Sequence, residues 1–217
     1  MAARNRFVFI NCPFDKEYLE CFEAIVFTIY MSGYRPECAL QDDNFGNVRL
    51  DKLKAMIERC DRSIHDLSRT ESNARGLPRF NMPFELGLAI GAFRFGGRRQ
   101  RKKSTFVMVK RPYIMPQFLS DAAGQDPHAH GGQVSQVIKL VRSHLGHYYR
   151  PDAKGARLPG PLYFYALFRE FKKGLPALAR ELHLSEKDLD CFRGGYLDYL
   201  EMVRRFSIVV EHAGRPS

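Results

Sequence analysis

Apolar residues along this chain follow two alternating rhythms. Arg6-Phe-Val-Phe-Ile-Asn11 is a short aromatic and β-branched run of the kind that forms a buried strand, and Cys12-Pro13-Phe14-Asp15 breaks it. From Asp15 to Ser32, Leu19, Phe22, Ile25, Val26, Ile29 and Tyr30 fall at helical spacing, with Gly33 as the stop. The alternation then repeats. Strands are expected over 34–40, 63–67 and 104–110. Helices are expected around Leu50, Leu53, Ile57 and Cys60, over 81–96 and over 133–145. A fifth strand should lie in the short polar stretch 125–130. The spacing of Gly87 and Gly91 suggests close packing of their helix on the sheet.

Strands alternating with helices predict an α/β domain with a doubly wound parallel sheet and helices on both faces, spanning residues 1–150. Residues 151–161 carry three Pro and two Gly and read as a linker. Beyond it the pattern is helical only, so 151–217 is a helical tail. Its first helix, 162–171, looks apolar nearly all round (Tyr163, Phe164, Tyr165, Phe168, Phe171) and should be buried against the main domain or another subunit.

Composition narrows this picture. A length of 217 residues fits one full domain with an appendage, and 45% hydrophobic residues exclude a disordered chain. No apolar run approaches the ~20 residues of a membrane span, and no signal-peptide pattern opens the chain. Cys12, Cys21, Cys38, Cys60 and Cys191 are odd in number and widely spaced, as expected for buried free thiols in a cytoplasmic protein. The net charge of +10 is concentrated: residues 1–85 carry −1, 86–120 carry +8 and 121–217 carry +3. Most of the excess is Arg98-Arg99-Gln100-Arg101-Lys102-Lys103, either a solvated loop or a polyanion contact through Arg98, Arg99, Arg101, Lys102 and Lys103.

Ligands of open parallel sheets bind beyond the carboxyl ends of the strands. That edge gathers Asn11, Pro13 and Phe14, then Asp42 and Asp43, then Asp66 and Ser68, and finally the helix start Arg79-Phe-Asn-Met-Pro-Phe-Glu-Leu-Gly87. Glu85 stands out. With Pro83 at a helix start and Asn81 as a cap, it is expected in the first turn, where the helix dipole favours an ionised carboxylate. Such a carboxylate either complements the dipole alone or stabilises an oxocarbenium-like ribosyl centre. Cys12 has no neighbouring base, His128 and His130 lack nearby metal-ligand partners, and no GxGxxG or GxxxxGK[ST] run is present.

Three segments together resemble a known group: Val8-Phe-Ile-Asn-Cys-Pro-Phe14, Asp61-Arg-Ser-Ile-His-Asp-Leu-Ser68, and Arg79-Phe-Asn-Met-Pro-Phe-Glu-Leu-Gly-Leu-Ala-Ile-Gly91. They are similar to bacterial TIR-like nucleotide-binding proteins and the related nucleoside 2-deoxyribosyltransferases. Phe118-Leu-Ser-Asp-Ala-Ala-Gly124 is similar to the TIR-like connection between strands four and five. The resemblance covers residues 6–146 and implies a TIR/flavodoxin-like fold. It implies Glu85 as the catalytic carboxylate, and a nucleoside pocket lined by Pro13, Phe14 and Asp66. Asn11-Cys12 departs from the Ala-Gly pair common before this proline in the transferases.

The implied activity is cleavage of an N-glycosidic bond in NAD or a related nucleotide, as an anti-phage or toxin effector. NAD would be substrate, with no separate cofactor and no metal. The alternative is a non-catalytic, nucleotide-sensing assembly module. Self-association or a larger defence complex is implied in either case.

Overall fold

A strand buried on both faces must be apolar along its whole length, and the runs that satisfy this become the centre of the sheet. The computed structural model describes residues 6–41, 48–69, 80–112, 127–149, 157–185 and 187–212. Its strands are Phe7–Asn11 (β1), Arg35–Glu37 (β2), Arg62–Asp66 (β3), Ser104–Val109 (β4) and His128–Ala129 (β5). All pair in parallel, in the order β2-β1-β3-β4-β5. The fifth strand is reduced to two residues within the stretch where it was expected.

Helices cover both faces. Leu19–Met31 (α1) and Val134–Tyr148 (α4) pack on one side; Arg49–Arg59 (α2) and Asn81–Phe95 (α3) pack on the other. The chain therefore has the doubly wound α/β fold, with Pro161–Glu181 (α5) and Tyr196–His212 (α6) added as C-terminal helices.

The added helices explain α1. Every residue from Cys21 to Ile29 is buried, which the sheet alone cannot achieve because it covers only one side of a helix. α5 and α6 cover the other side. Phe27 of α1 meets Phe168, Phe171 and Phe206 at ring separations of 5.4, 5.3 and 6.1 Å. Polar ties pin the layers: Tyr199 Oη donates to the Glu23 carbonyl (3.1 Å), Tyr196 Oη to the Pro36 carbonyl (3.2 Å), and Lys172 Nζ to Glu23 Oε2 (2.6 Å). Burial raises the Glu23 carboxyl above its ordinary value, partly offset by Lys172.

Four sequence expectations change. α5 is amphipathic: Phe164, Leu167, Phe168 and Phe171 are buried at helical spacing, whereas Leu162 is 84% exposed. It also continues through Pro176 to Glu181, because buried Leu175 and Ala179 extend the same stripe past the bond that proline removes. Asn81 does not cap α3; it is the first helical residue and Phe80 is the cap. Gly87 and Gly91 do not pack on the sheet, since a Cβ at either would meet nothing within 4 Å.

The basic run has structural work at the opposite edge of the sheet from the carboxyl ends. Arg99 Nη2 donates to the Arg59 carbonyl (3.0 Å), Gln100 Nε2 to that of Glu58 (3.3 Å), and Lys103 Nζ to those of Ile57 and Glu58. These are carbonyls of the last turn of α2, where the helix leaves acceptors unpaired and where its dipole favours cations. No helix among the described residues is long and apolar enough to cross a membrane.

If α1 depends on its outer layer, Phe171→Ala should destabilise the protein by about 3–5 kcal/mol. Leu162→Ala on the same helix should change stability by no more than ~0.5 kcal/mol. Urea unfolding of both variants checks this.

Candidate functional site

The order β2-β1-β3 means that the winding reverses at β1. The chain leaves β1 toward α1 on one face and leaves β3 toward α3 on the other. In doubly wound sheets such a reversal is where ligands bind, beyond the carboxyl ends of the strands on either side of it.

Asn11 ends β1 and acts as a staple. Its Nδ2 donates to His65 Nδ1 (2.9 Å) on β3 and to the Met82 carbonyl (2.8 Å) in the first turn of α3. This bond fixes the start of α3 against the edge. With Nδ1 of His65 accepting, the ring proton sits on Nε2, which is buried without a hydrogen-bond partner. Burial pushes His65 down to about 3, so the ring stays neutral.

Asp66 ends β3 and is fully buried. Its Oδ1 accepts the Ser68 backbone N–H (2.8 Å); its Oδ2 accepts Tyr18 Oη–H and lies 3.0 Å from His130 Nε2. Burial raises its pKa, but the hydrogen bonds from His130, Ser68 and Tyr18 outweigh that and hold it below its ordinary value. A substrate hydroxyl could reach Asp66 only by displacing one of these partners. As built, the carboxylate organises the edge, tying α1's approach, the turn after β3 and the end of β5 into one unit.

Ser68, His130 and Asp66 are types that can form a nucleophilic triad, but their geometry is different. Ser68 Oγ (2.8 Å) and Asp66 Oδ2 both meet the same nitrogen, Nε2, while Nδ1 accepts the Gly132 N–H (3.0 Å). A triad needs serine and carboxylate on opposite ring nitrogens. The turn that supplies Gly132 has φ of +64° at Gly131 and +74° at Gly132, which glycine accommodates without strain.

Cys12 lies near both acids. Burial, then the negative charges of Asp66 and Glu85, push its thiol well above the ordinary range, so it is not a thiolate nucleophile.

Glu85 is the contrasting carboxylate. Because α3 begins at Asn81, Glu85 falls in the second turn, beyond the reach of the strongest dipole effect, and not in the first turn as the sequence suggested. It is 8% exposed and no described residue donates a hydrogen bond to it. Burial pushes its carboxyl up to about 7, with Arg49 of α2 pulling the other way.

The structure thus brings Asn11, Asp66, Ser68 and Glu85 to one edge. Pro13 is buried beside them in the sequence. The Phe14 ring rests instead on Phe22 (5.7 Å) and Phe192 (5.6 Å), toward α1 and the tail. Asn81 is exposed. Asp42, Asp43 and the 118–124 segment lie outside the described residues. Tyr18, His65 and His130 are organising residues that sequence reasoning missed. The one usable signal was His130's position at the end of the stretch where a fifth strand was expected, at the carboxyl edge. Among the described residues, no group of His, Cys, Asp and Glu could hold a metal ion.

Glu85 predicts an unusual pH dependence of stability. Below about pH 4.5 it is protonated in folded and unfolded chains alike. Between about 4.5 and 7 the folded chain keeps a proton that the unfolded chain has lost, so stability falls as pH rises. Glu85→Gln should therefore leave stability unchanged near pH 4 and raise it by on the order of 2–3 kcal/mol at pH 8. Urea unfolding of both proteins across this range is the measurement.

Comparisons with family models, with curated proteins and with solved structures gave no match, so the reading of this site rests on its own geometry and chemistry.

Proposed function

We propose that the chain hydrolyses the N-glycosidic bond of NAD or a closely related nucleotide, with Glu85 as the catalytic carboxylate. The observation that carries this reading is a nearly buried carboxylate, without a hydrogen-bond donor among the described residues, at the reversal point of the sheet. A carboxylate left without donors keeps its full charge for a cation, and the ribosyl centre in glycosidic cleavage becomes cationic.

The step balances simply. The bond between ribose C1′ and the pyridinium nitrogen breaks, and its electron pair neutralises that nitrogen, so nicotinamide leaves without protonation. Water adds to C1′ and loses a proton, giving ADP-ribose, nicotinamide and H⁺. A purine leaving group would usually need a general acid as well. The neutral His65 and the fully engaged Asp66 do not offer one, which favours the cationic leaving group.

The ionised form of Glu85 acts, so kcat/KM for NAD should fall about tenfold per pH unit below pH 7, where free Glu85 takes up its proton. Bound cationic substrate stabilises the carboxylate, so the fall in kcat should be displaced to lower pH. Glu85→Gln should lower kcat by on the order of 100-fold or more with NAD binding retained. Nicotinamide release by the pure protein, measured beside NAD binding, checks all three. Binding without turnover at any pH would support the nucleotide-sensing module instead.

A further inference from the structure

Helix α3 is covered on three sides. Met82 and Leu86 face Leu67 and Val109 of the sheet edge, Leu88 and Ala92 pack on the Leu53–Met56–Ile57 cluster of α2, and Ile90 packs beside Val107 and Ala129. The fourth side carries no charged residue between Asn81 and Arg94. It presents Phe84 (54% exposed), Gly87, Gly91 and Phe95 (90%). These follow one another at steps of three, four and four, the spacing of a helix–helix seam. The two glycines form a gap in its middle, because a Cβ at either would meet open space.

We propose that this face is a self-association surface, on which α3 of a second copy packs antiparallel. The stripe is near-palindromic about Ala89: the glycines lie two residues to either side of it, with Phe84 five before and Phe95 six after. A two-fold axis there sets the Phe84 ring of one copy beside Phe95 of the other, and lets the backbones approach at the glycine gap. That is the self-complementarity a closed dimer requires.

Charge selects the antiparallel arrangement. The basic run follows the C-terminal end of α3, and a parallel pair would bring two such runs together. Antiparallel packing separates them by about the ~22 Å length of the helix, well beyond the ~8 Å screening length of physiological salt.

Area sets the strength. At roughly 200 Å² per aromatic side chain, the exposed parts of the Phe84 and Phe95 rings carry on the order of 300 Å² per copy, a little over a third of what each partner buries in a standard interface. The dimer should therefore be reversible and concentration-dependent.

Sedimentation velocity of the full chain over a concentration series should show a monomer–dimer equilibrium. Gly91→Arg should abolish it while leaving the melting temperature of the monomer unchanged, since the new side chain enters open space. For orientation, the double variant Phe84→Cys/Phe95→Cys should form a disulfide-linked dimer under mild oxidation, and either single variant should not. The native thiols, all buried, give little background. A chain that stays monomeric at every concentration overturns the proposal, as would happen if another part of the chain covered the stripe. So does a dimer indifferent to Gly91→Arg, and efficient linking by a single variant overturns the antiparallel pairing.

Discussion

Reversal of the winding direction at β1 is the constraint from which the rest of this molecule follows. Right-handed crossovers on either side of β1 put α1 on one face and α3 on the other. The carboxyl ends of β1 and β3 thereby flank the position at which doubly wound sheets bind ligands, a consequence of topology before any side chain is considered. The same geometry fixes what lies elsewhere. α3 carries the chain to the opposite edge, so the basic run emerges beside the end of α2 and becomes its cap. α1, central on its face and buried all round from Cys21 to Ile29, demands the outer layer that α5 and α6 provide.

Three buried carboxylates show how donors decide the state of a charge. Asp66 is wholly enclosed, yet a backbone amide, a phenol and a histidine hold it below its ordinary value. Glu23 has one lysine, and its burial is only partly offset. Glu85 has a more distant Arg49 and no donor among the described residues, and burial carries it to about 7. The donors that would stabilise Glu85 would also quench the field it can exert on a ligand. A destabilised carboxylate at the carboxyl edge of the sheet therefore carries a cost in stability, of the kind active sites commonly show.

The strands and helices of the domain were legible because their periodicities differ and their apolar runs are long; β1, β3 and β4 are offset by a residue or so at most. The carboxyl edge was legible too, since any parallel sheet places loops there. The exact start of α3 was not. Asn81 is a good cap by type, but Phe80 takes that position, and one residue of offset moved Glu85 out of the first turn, while burial, which local pattern does not show, raised its carboxyl instead. The Asp66–His130 pair was illegible for another reason: its members are far apart in sequence and meet only because a two-residue β5 completes the sheet. The outward direction of Gly87 and Gly91 likewise depends on which face of α3 the sheet and α2 occupy. Local pattern cannot supply that.

The central claim is that Glu85 is a buried carboxylate, with no hydrogen-bond donor among the described residues, whose proton is held near neutrality. The most direct measurement is a carbon-detected NMR titration of the glutamate side-chain carboxyls, with the Glu85 signal assigned by its loss in Glu85→Gln. The account predicts a midpoint near 7 for that signal. A midpoint at or below the ordinary value of 4.5 would mean that donors or solvent reach the carboxylate, and would contradict the account.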